Sequence, residues 1–492
     1  MGRDVPAIAI SPEDRRVYRA KVRGCLDTLA LMLRDWPVET TERRVGLEVE
    51  LNLVDAHAAP APRNAEVLRL LSDPAWATEL ARFNVEVNIP PRPLGGDALA
   101  GLEDEVRDVL TRADRACRTA GCRMAMVGIL PTLGELDVTG GSMSAVPRYR
   151  LLNEQIFAAR GEEIRIVIDG TERLDTVLGT IMGESACTSL QLHLQVSPEE
   201  FGTYWNAAQA IAGVQVALAA NSPFLFGREL WHETRITLFE QATDTRPDEL
   251  KVQGVRPRVW FGERWITSVF DLFEENLRYF PALLPLCDDE DPAAVLRGGG
   301  APQLAELTLH NGTVYRWNRP VYAADDGLPH LRVENRVLPA GPTVADMVAN
   351  AAFYYGLVRA LAEQERPVWT RMSFAAARDN LTEGARDGID ARLFWPGLGE
   401  VPVTELVLRH LLPLARHGLA LWKADTAVAD RLLGIIEQRC LTGLNGATWQ
   451  AAAVRVLEER RGLDRAAALR EMTLCYLEHM RSNEPAHSWP AM

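Results

Sequence analysis

Four segments of the chain alternate apolar and polar residues with a period of two, and their polar members are carboxylates, amides, histidines and arginines. In residues 44–55 (RVGLEVELNLVD), Val45, Leu47, Val49, Leu51 and Leu53 fall on one side, with Gly46, Glu48, Glu50 and Asn52 on the other. Side chains alternate along a strand, so Glu48 and Glu50 point the same way, roughly 7 Å apart. In residues 82–91, Phe83, Val85, Val87 and Ile89 oppose Asn84, Glu86 and Asn88. In residues 188–196, Leu190, Leu192, Leu194 and Val196 oppose Ser189, Gln191, His193 and Gln195. In residues 330–342, Leu331, Val333 and Val337 oppose His330, Arg332, Glu334 and Arg336.

One polar face alone is what the solvated side of an antiparallel sheet normally shows. Such faces usually carry Lys, Thr and mixed charge, whereas these four segments contain no Lys. Laid side by side they would bring Glu48, Glu50, Glu86, Glu334 and His193 onto one concave surface. So many carboxylates repel one another unless cations neutralise them. Oxygen-rich ligation with one imidazole suits Mg²⁺ or Mn²⁺ better than zinc. Arginines beside them suit a phosphate group bound to those metals. A metal–nucleotide site on a sheet face is therefore expected. The chain contains no GxxxxGK[ST] loop, no GxGxxG, no HExxH and no GxSxG. Any ATP would thus be held by metals and arginines rather than by a phosphate-cradling loop.

Composition narrows the partners. Asp plus Glu exceed Lys plus Arg by 67 to 53, a net charge of −14, which makes a poor general binder of nucleic acid or anionic membrane. The seven cysteines are scattered without a CxxC pair, as expected of a reducing cytoplasm rather than a disulfide framework or a zinc ribbon. The opening MGRDVPAIAI lacks the pattern of a signal peptide. The most apolar stretch, residues 210–226, is broken by Gln215, Asn221 and Pro223, so no membrane span is expected.

With 492 residues the chain has room for one large body or two to three domains. The pattern predicts an amphipathic helix over residues 12–36 and mixed strands and helices over 43–336. Thr343 and Asp346 form an N-cap signature that opens a mainly helical region, with helices near 404–419, 426–439 and 464–481. The organisation is an α+β body, residues 1–341, with a helical region, 342–492, packed on it.

The strand GLEVELNLVD resembles the GxExE opening strand of the glutamate–cysteine ligases, specifically their type 2, carboxylate–amine ligase branch. The agreement continues in order through NVEVN, GILPTL, RY at 148–149, TSLQLHLQV, ANSPFLFGRELWHETR, LHNGTVYRWNRP, HLRVENRVLPAGP and EPAHSW. Each string is weak alone, but the ordered set is specific and covers nearly the whole chain. The resemblance implies a glutamine-synthetase-like fold, an antiparallel sheet bent into a funnel and flanked by helices, whose polar face is the active site. It implies transfer of the ATP γ-phosphate to the glutamate side chain and attack of an amine on the acyl phosphate, with cysteine the default amine. Glutathione biosynthesis is the expected setting.

By the same resemblance Glu48, Glu50, Glu86, His193 and Glu334 are expected to hold Mg²⁺ or Mn²⁺. Arg336 and Arg332 would contact the transferring phosphate, and Arg316 the nucleotide. Arg235 is expected at the substrate α-carboxylate, with Arg148 and Tyr149 near it, and Asn88 and Gln191 at substrate or ligands. His310, Arg316, Trp317, Asn318 and Arg319 form an aromatic-basic cluster equally suited to flank a nucleotide or to make an edge strand. Trp231, Trp260 and Trp265 are expected in core or wall, Cys187 as an inert thiol, and residues 221–223 as a helix-ending turn. His487 and Trp489 are assigned no chemistry. The expected partners are small molecules: glutamate, cysteine or another amine, and ATP. Another amine, a guanidino-kinase-like phosphotransfer and a non-catalytic metal–nucleotide binder stay open, as does the oligomeric state.

Overall fold

The computed structural model describes residues 10–35, 43–324 and 328–492. Trp36, the expected end of the first helix, and the first nine residues, which bear on a leader, lie outside them. The alternating segments form strands β1 (Arg44–Val54), β3 (Asn84–Pro93), β5 (Ser189–Val196) and β7 (His330–Pro339), joined by the short β2 (Trp76–Thr78), β4 (Arg123–Ala125) and β6 (Asn318–Ala323). All pair antiparallel in the order β6-β7-β5-β1-β3-β2, with β4 on the far end of β1. The sheet curls into a half-barrel flanked by helices, the expected α+β architecture. Of the aromatic-basic cluster, Asn318 and Arg319 belong to edge strand β6.

The apolar face carries Val45, Leu47, Val49, Leu51, Val85, Val87, Leu190, Leu192, Leu194 and Val333, all buried. Two helices, Phe201–Ala219 and Val344–Ala362, are buried along almost their whole length, because both are apolar all round. Tyr355 fastens the second of these to the sheet, donating its hydroxyl to the carbonyls of Gly46 (3.0 Å) and His193 (3.2 Å). Helix Leu412–Leu421 lies so close to it that a Cβ on Gly418 would run into the carbonyl of Gly356.

The carboxy-terminal helices follow the sequence signals. Thr343 caps the helix at 344, its hydroxyl accepting the amide of Asp346 at 3.1 Å. Thr426–Thr442 and Arg465–Ser482 appear where expected, while Gly446–Arg461 is an additional helix capped by Asn445. The segment expected near 404–419 is a short helix, Val403–Leu406, a π turn and helix Leu412–Leu421. Pro413 accounts for the break, since it has no amide to donate. Asn221 ends the helix at 219, donating its side-chain amide to Ala340 O (2.8 Å) and the Tyr476 hydroxyl (2.9 Å), a structural role. Among the described residues no helix is long and apolar enough to cross a membrane.

A buried ion pair ties three helices together. Arg439 meets Asp346 at 2.9 Å with both side chains at most 2% exposed, and also bonds Asn350 Oδ1 (2.8 Å) and Leu218 O (3.2 Å). Removing one partner strands the other charge in low dielectric. Arg439→Met should therefore cost about 3–5 kcal/mol in urea unfolding; a loss below about 1 kcal/mol would mean that Asp346 is relieved by other means.

Candidate active site

Strand pairing sets the polar residues in rows across the curled face. Arg319 stands opposite Glu334, and Glu334 opposite His193. Gln191 faces Glu48, Glu48 faces Asn88, and Glu50 faces Glu86. All five expected metal-ligand residues thus lie on this one surface. A register shift between Asn335 and Leu338 sets Leu338 opposite Leu190; Arg336, at the parity of Glu334, reaches both Gln191 Oε1 and Glu334 Oε1.

Arg319 holds Glu334 in a two-pronged bond, Nε to Oε2 at 2.9 Å and Nη2 to Oε1 at 2.8 Å. Glu50 accepts the Gln191 amide and the Ser189 backbone N–H, both at 2.8 Å. Glu86 accepts Asn88 Nδ2 at 2.9 Å. His193 Nδ1 accepts Arg332 Nε at 3.1 Å, while its Nε2 lies 3.0 Å from Glu48 Oε1 without making a hydrogen bond. Arg332 Nη1 also lies 3.1 Å from His330 Nε2.

The carboxyls differ in charge state for local reasons. Burial pushes Glu86 up to about 7, with Glu48 and Glu50 adding to it. Burial also raises Glu50, against the pull of Arg336. At Glu334 burial acts the same way but is outweighed by Arg319, Arg336 and His193, which hold this carboxyl well below the usual range. Burial opposes His193 at Glu48 too, and the imidazole wins.

Two acids join the site that the alternation could not reveal. Glu79 follows β2 in a turn, and its carboxylate converges with those of Glu50 and Glu86, one oxygen of each lying within 4.8 Å of the others. Burial raises Glu79 well above the carboxylate range, with Glu86, Glu50 and Glu184 contributing. Glu184 sits in a 3-10 turn (Ile181–Ala186), pushed up to about 7 by burial and by Glu50. The converging oxygens of Glu50, Glu79 and Glu86 fit a hard divalent cation.

Arg235 is 2% exposed. It bonds Glu233 Oε1 at 2.9 Å through Nε, reaches the carbonyls of Arg336 and Val337, and lines a small cavity beside Glu50 and Arg336. Arg148 stacks 5.1 Å over the Tyr149 ring, whose hydroxyl donates to Thr78 O at 3.1 Å. Cys187 lines the same cavity, its thiol raised well above its usual range by burial, as an inert thiol should be. Arg316 is not brought to the carboxylates. Its guanidinium is buried against Glu275 (3.1 Å) and Asn276 Oδ1 (3.0 Å), 4.6 Å over the Trp260 ring.

The raised acids have a consequence for stability. Glu86 and Glu184 hold their protons to about 7 when folded, against 4.5 for an ordinary Glu. Between those values the folded state binds the extra protons, so the stability they lend is lost as pH rises. In chelator, the melting temperature should fall across this window, and less steeply for Glu86→Gln. Equal slopes would show that Glu86 does not titrate in that range.

Residues 44–462 match the family model for glutamate-cysteine ligase family 2. Among solved structures, the glutamate–cysteine ligase of Francisella tularensis in complex with AMP aligns at 11% identity and TM-score 0.50, covering 93% of this chain and 97% of that one. A bifunctional glutathione synthetase from Pasteurella multocida aligns at 12% identity and TM-score 0.47, covering 95% of this chain and 55% of that one. At 11% identity the likeness to the Francisella enzyme is one of fold. No curated protein sequence matches the chain.

Proposed function

Because the chain belongs to glutamate–cysteine ligase family 2 and is thereby a carbon–nitrogen ligase of that type, we propose that it joins the side-chain carboxylate of glutamate to an amine in an ATP-driven reaction, with cysteine the first acceptor to test. The γ-phosphoryl group passes from ATP to the glutamate carboxylate. The amine nitrogen then attacks the acyl carbon, the carbon–nitrogen bond forms, and the carbon–oxygen bond to phosphate breaks.

The observation that carries this reading is the pairing of a converging acid cluster, Glu50, Glu79 and Glu86, with a row of arginines on the same sheet face. Carboxylate and ATP are both anions, and an amine beside a free carboxylate forms a salt instead of an amide. The reaction therefore depends on fixed positive charge placed where negative charge develops. Arg336 is the leading donor to the transferring phosphoryl group, with Arg332 beside it. Gln191 and Glu334 position Arg336, and Arg319 keeps Glu334 ionised for that purpose. Glu48, Glu50, Glu86, His193 and Glu334, joined by Glu79, are the groups that would hold Mg²⁺ or Mn²⁺, which would neutralise phosphate charge there. Arg235, with Arg148 and Tyr149, is assigned to the substrate α-carboxylate, and Asn88 to substrate or ligand orientation. The Francisella structure of this fold carries AMP, in keeping with a nucleotide co-substrate here.

ADP release should require glutamate and Mg²⁺ or Mn²⁺, respond to cysteine, and yield a γ-glutamylcysteine mass. Release that ignores cysteine but follows another amine would change the acceptor alone. No release with any amine would remove the ligase reading. Arg336→Ala should lower kcat about 10²–10³-fold while moving KM for glutamate less, since its contact strengthens as charge develops. Unchanged kcat would take Arg336 out of the mechanism.

A further inference from the structure

Beside the acid cluster lies a small cavity of about 40 Å³, walled by Glu50, Glu79, Glu184, Asn84, Arg235 and Arg336. Two of these groups have no partner that explains them. Asn84 is 2% exposed, yet its Oδ1 accepts no hydrogen bond. A relay fixes which end of the amide is left over. The Thr188 hydroxyl donates to the carbonyl of Val127, so it accepts from Asn52 Nδ2 (3.1 Å), and Asn52 Oδ1 accepts from Asn84 Nδ2 (3.0 Å). Turning Asn84 over would break this chain, so the empty position is an acceptor awaiting a donor.

Glu184 is the second such group. Among the described residues its carboxylate makes no hydrogen bond and no ion pair, although it lines the cavity. The oxygens that converge for a cation belong to Glu50, Glu79 and Glu86, so that cation does not account for Glu184. An unpaired carboxylate and a donor-starved amide oxygen, in a space admitting a few non-hydrogen atoms, match a compact cation rich in N–H. Arg235 and Arg336 line the same cavity, so it also presents positive charge to a carboxylate. Together these walls complement the two ends of an amino acid.

We propose that Glu184 and Asn84 Oδ1 form a subsite for the primary ammonium group of a substrate. The inference rests on the ligase reading for the substrate's identity: the ammonium is the α-amino group of glutamate or the amino group of the acceptor. A bound ammonium favours the ionised form of Glu184 and supplies the donor that Asn84 lacks.

Equilibrium binding tests this without turnover, and so separately from ADP release. Glutamate and its des-amino analogue glutarate, and cysteine and 3-mercaptopropionate, are titrated calorimetrically into the full chain with Mg²⁺ and a non-hydrolysable ATP analogue. Wild type should bind one amino compound more tightly than its des-amino partner. Glu184→Gln, of nearly the same shape, should reduce that preference about tenfold, the size of one lost charge-assisted hydrogen bond. Glu184→Asp, which keeps the charge, should retain more of it. The affected pair identifies the source, glutamate or acceptor. The proposal is overturned if wild type prefers neither amino compound, or if Glu184→Gln leaves both preferences within about twofold. It is also overturned if both members of a pair weaken equally, since that is a structural effect.

Discussion

Glu334 sits in a clasp: Arg319 grips both its oxygens from the neighbouring strand, and Arg336 closes on one of them from two residues away. A carboxylate as buried as this one would otherwise take up a proton, because low dielectric penalises the charged form. The clasp keeps Glu334 ionised and, in return, holds two guanidinium groups in fixed positions on the sheet face. Planar, always-charged guanidinium suits this role, where a lysine ammonium would offer a point charge without the fork. On the other side of the same face, Glu50, Glu79 and Glu86 crowd together, with burial raising all three carboxyls. The surface is thus divided into a half whose charge is balanced by arginines and a half that a bound cation would balance.

That division places demands on the rest of the chain. Oriented charges stay oriented only on a framework that does not relax around them, and the apolar face of the sheet supplies it. The helices Phe201–Ala219 and Val344–Ala362 are buried around nearly their full circumference. The Tyr355 hydroxyl fixes the second of them to the carbonyls of Gly46 and His193, directly behind the polar row. The carboxy-terminal helices then lock these two through Arg439 and Asp346. The helical region therefore acts as the backing of the sheet.

Much of this was legible in the sequence because a strand repeats every two residues. Parity alone put Glu48, Glu50, Glu86, His193 and Glu334 on one face, and the order β7-β5-β1-β3 brings those faces together. Outside a strand there is no such period. Glu79 lies in a turn after a three-residue strand, and Glu184 in a 3-10 turn, so neither belongs to a pattern that could have singled it out. Arg319 was visible within the aromatic-basic cluster, but its grip on Glu334 depends on the pairing of β6 with β7. Arg316, in the same cluster, differs from it by three positions and by its whole environment, since its guanidinium is buried against Glu275.

The alternation also breaks within a strand at a place that matters chemically. Between Asn335 and Leu338 the pairing of β7 with β5 slips by one residue, so that Leu338 stands opposite Leu190, while Arg336 keeps the parity of Glu334 and reaches Gln191 and Glu334 together. A bulge carries one extra residue on one strand and bends that strand locally. Beside it one arginine bridges the amide that holds Glu50 and the carboxylate held by Arg319. Arg336 is therefore the residue through which both halves of the face are joined.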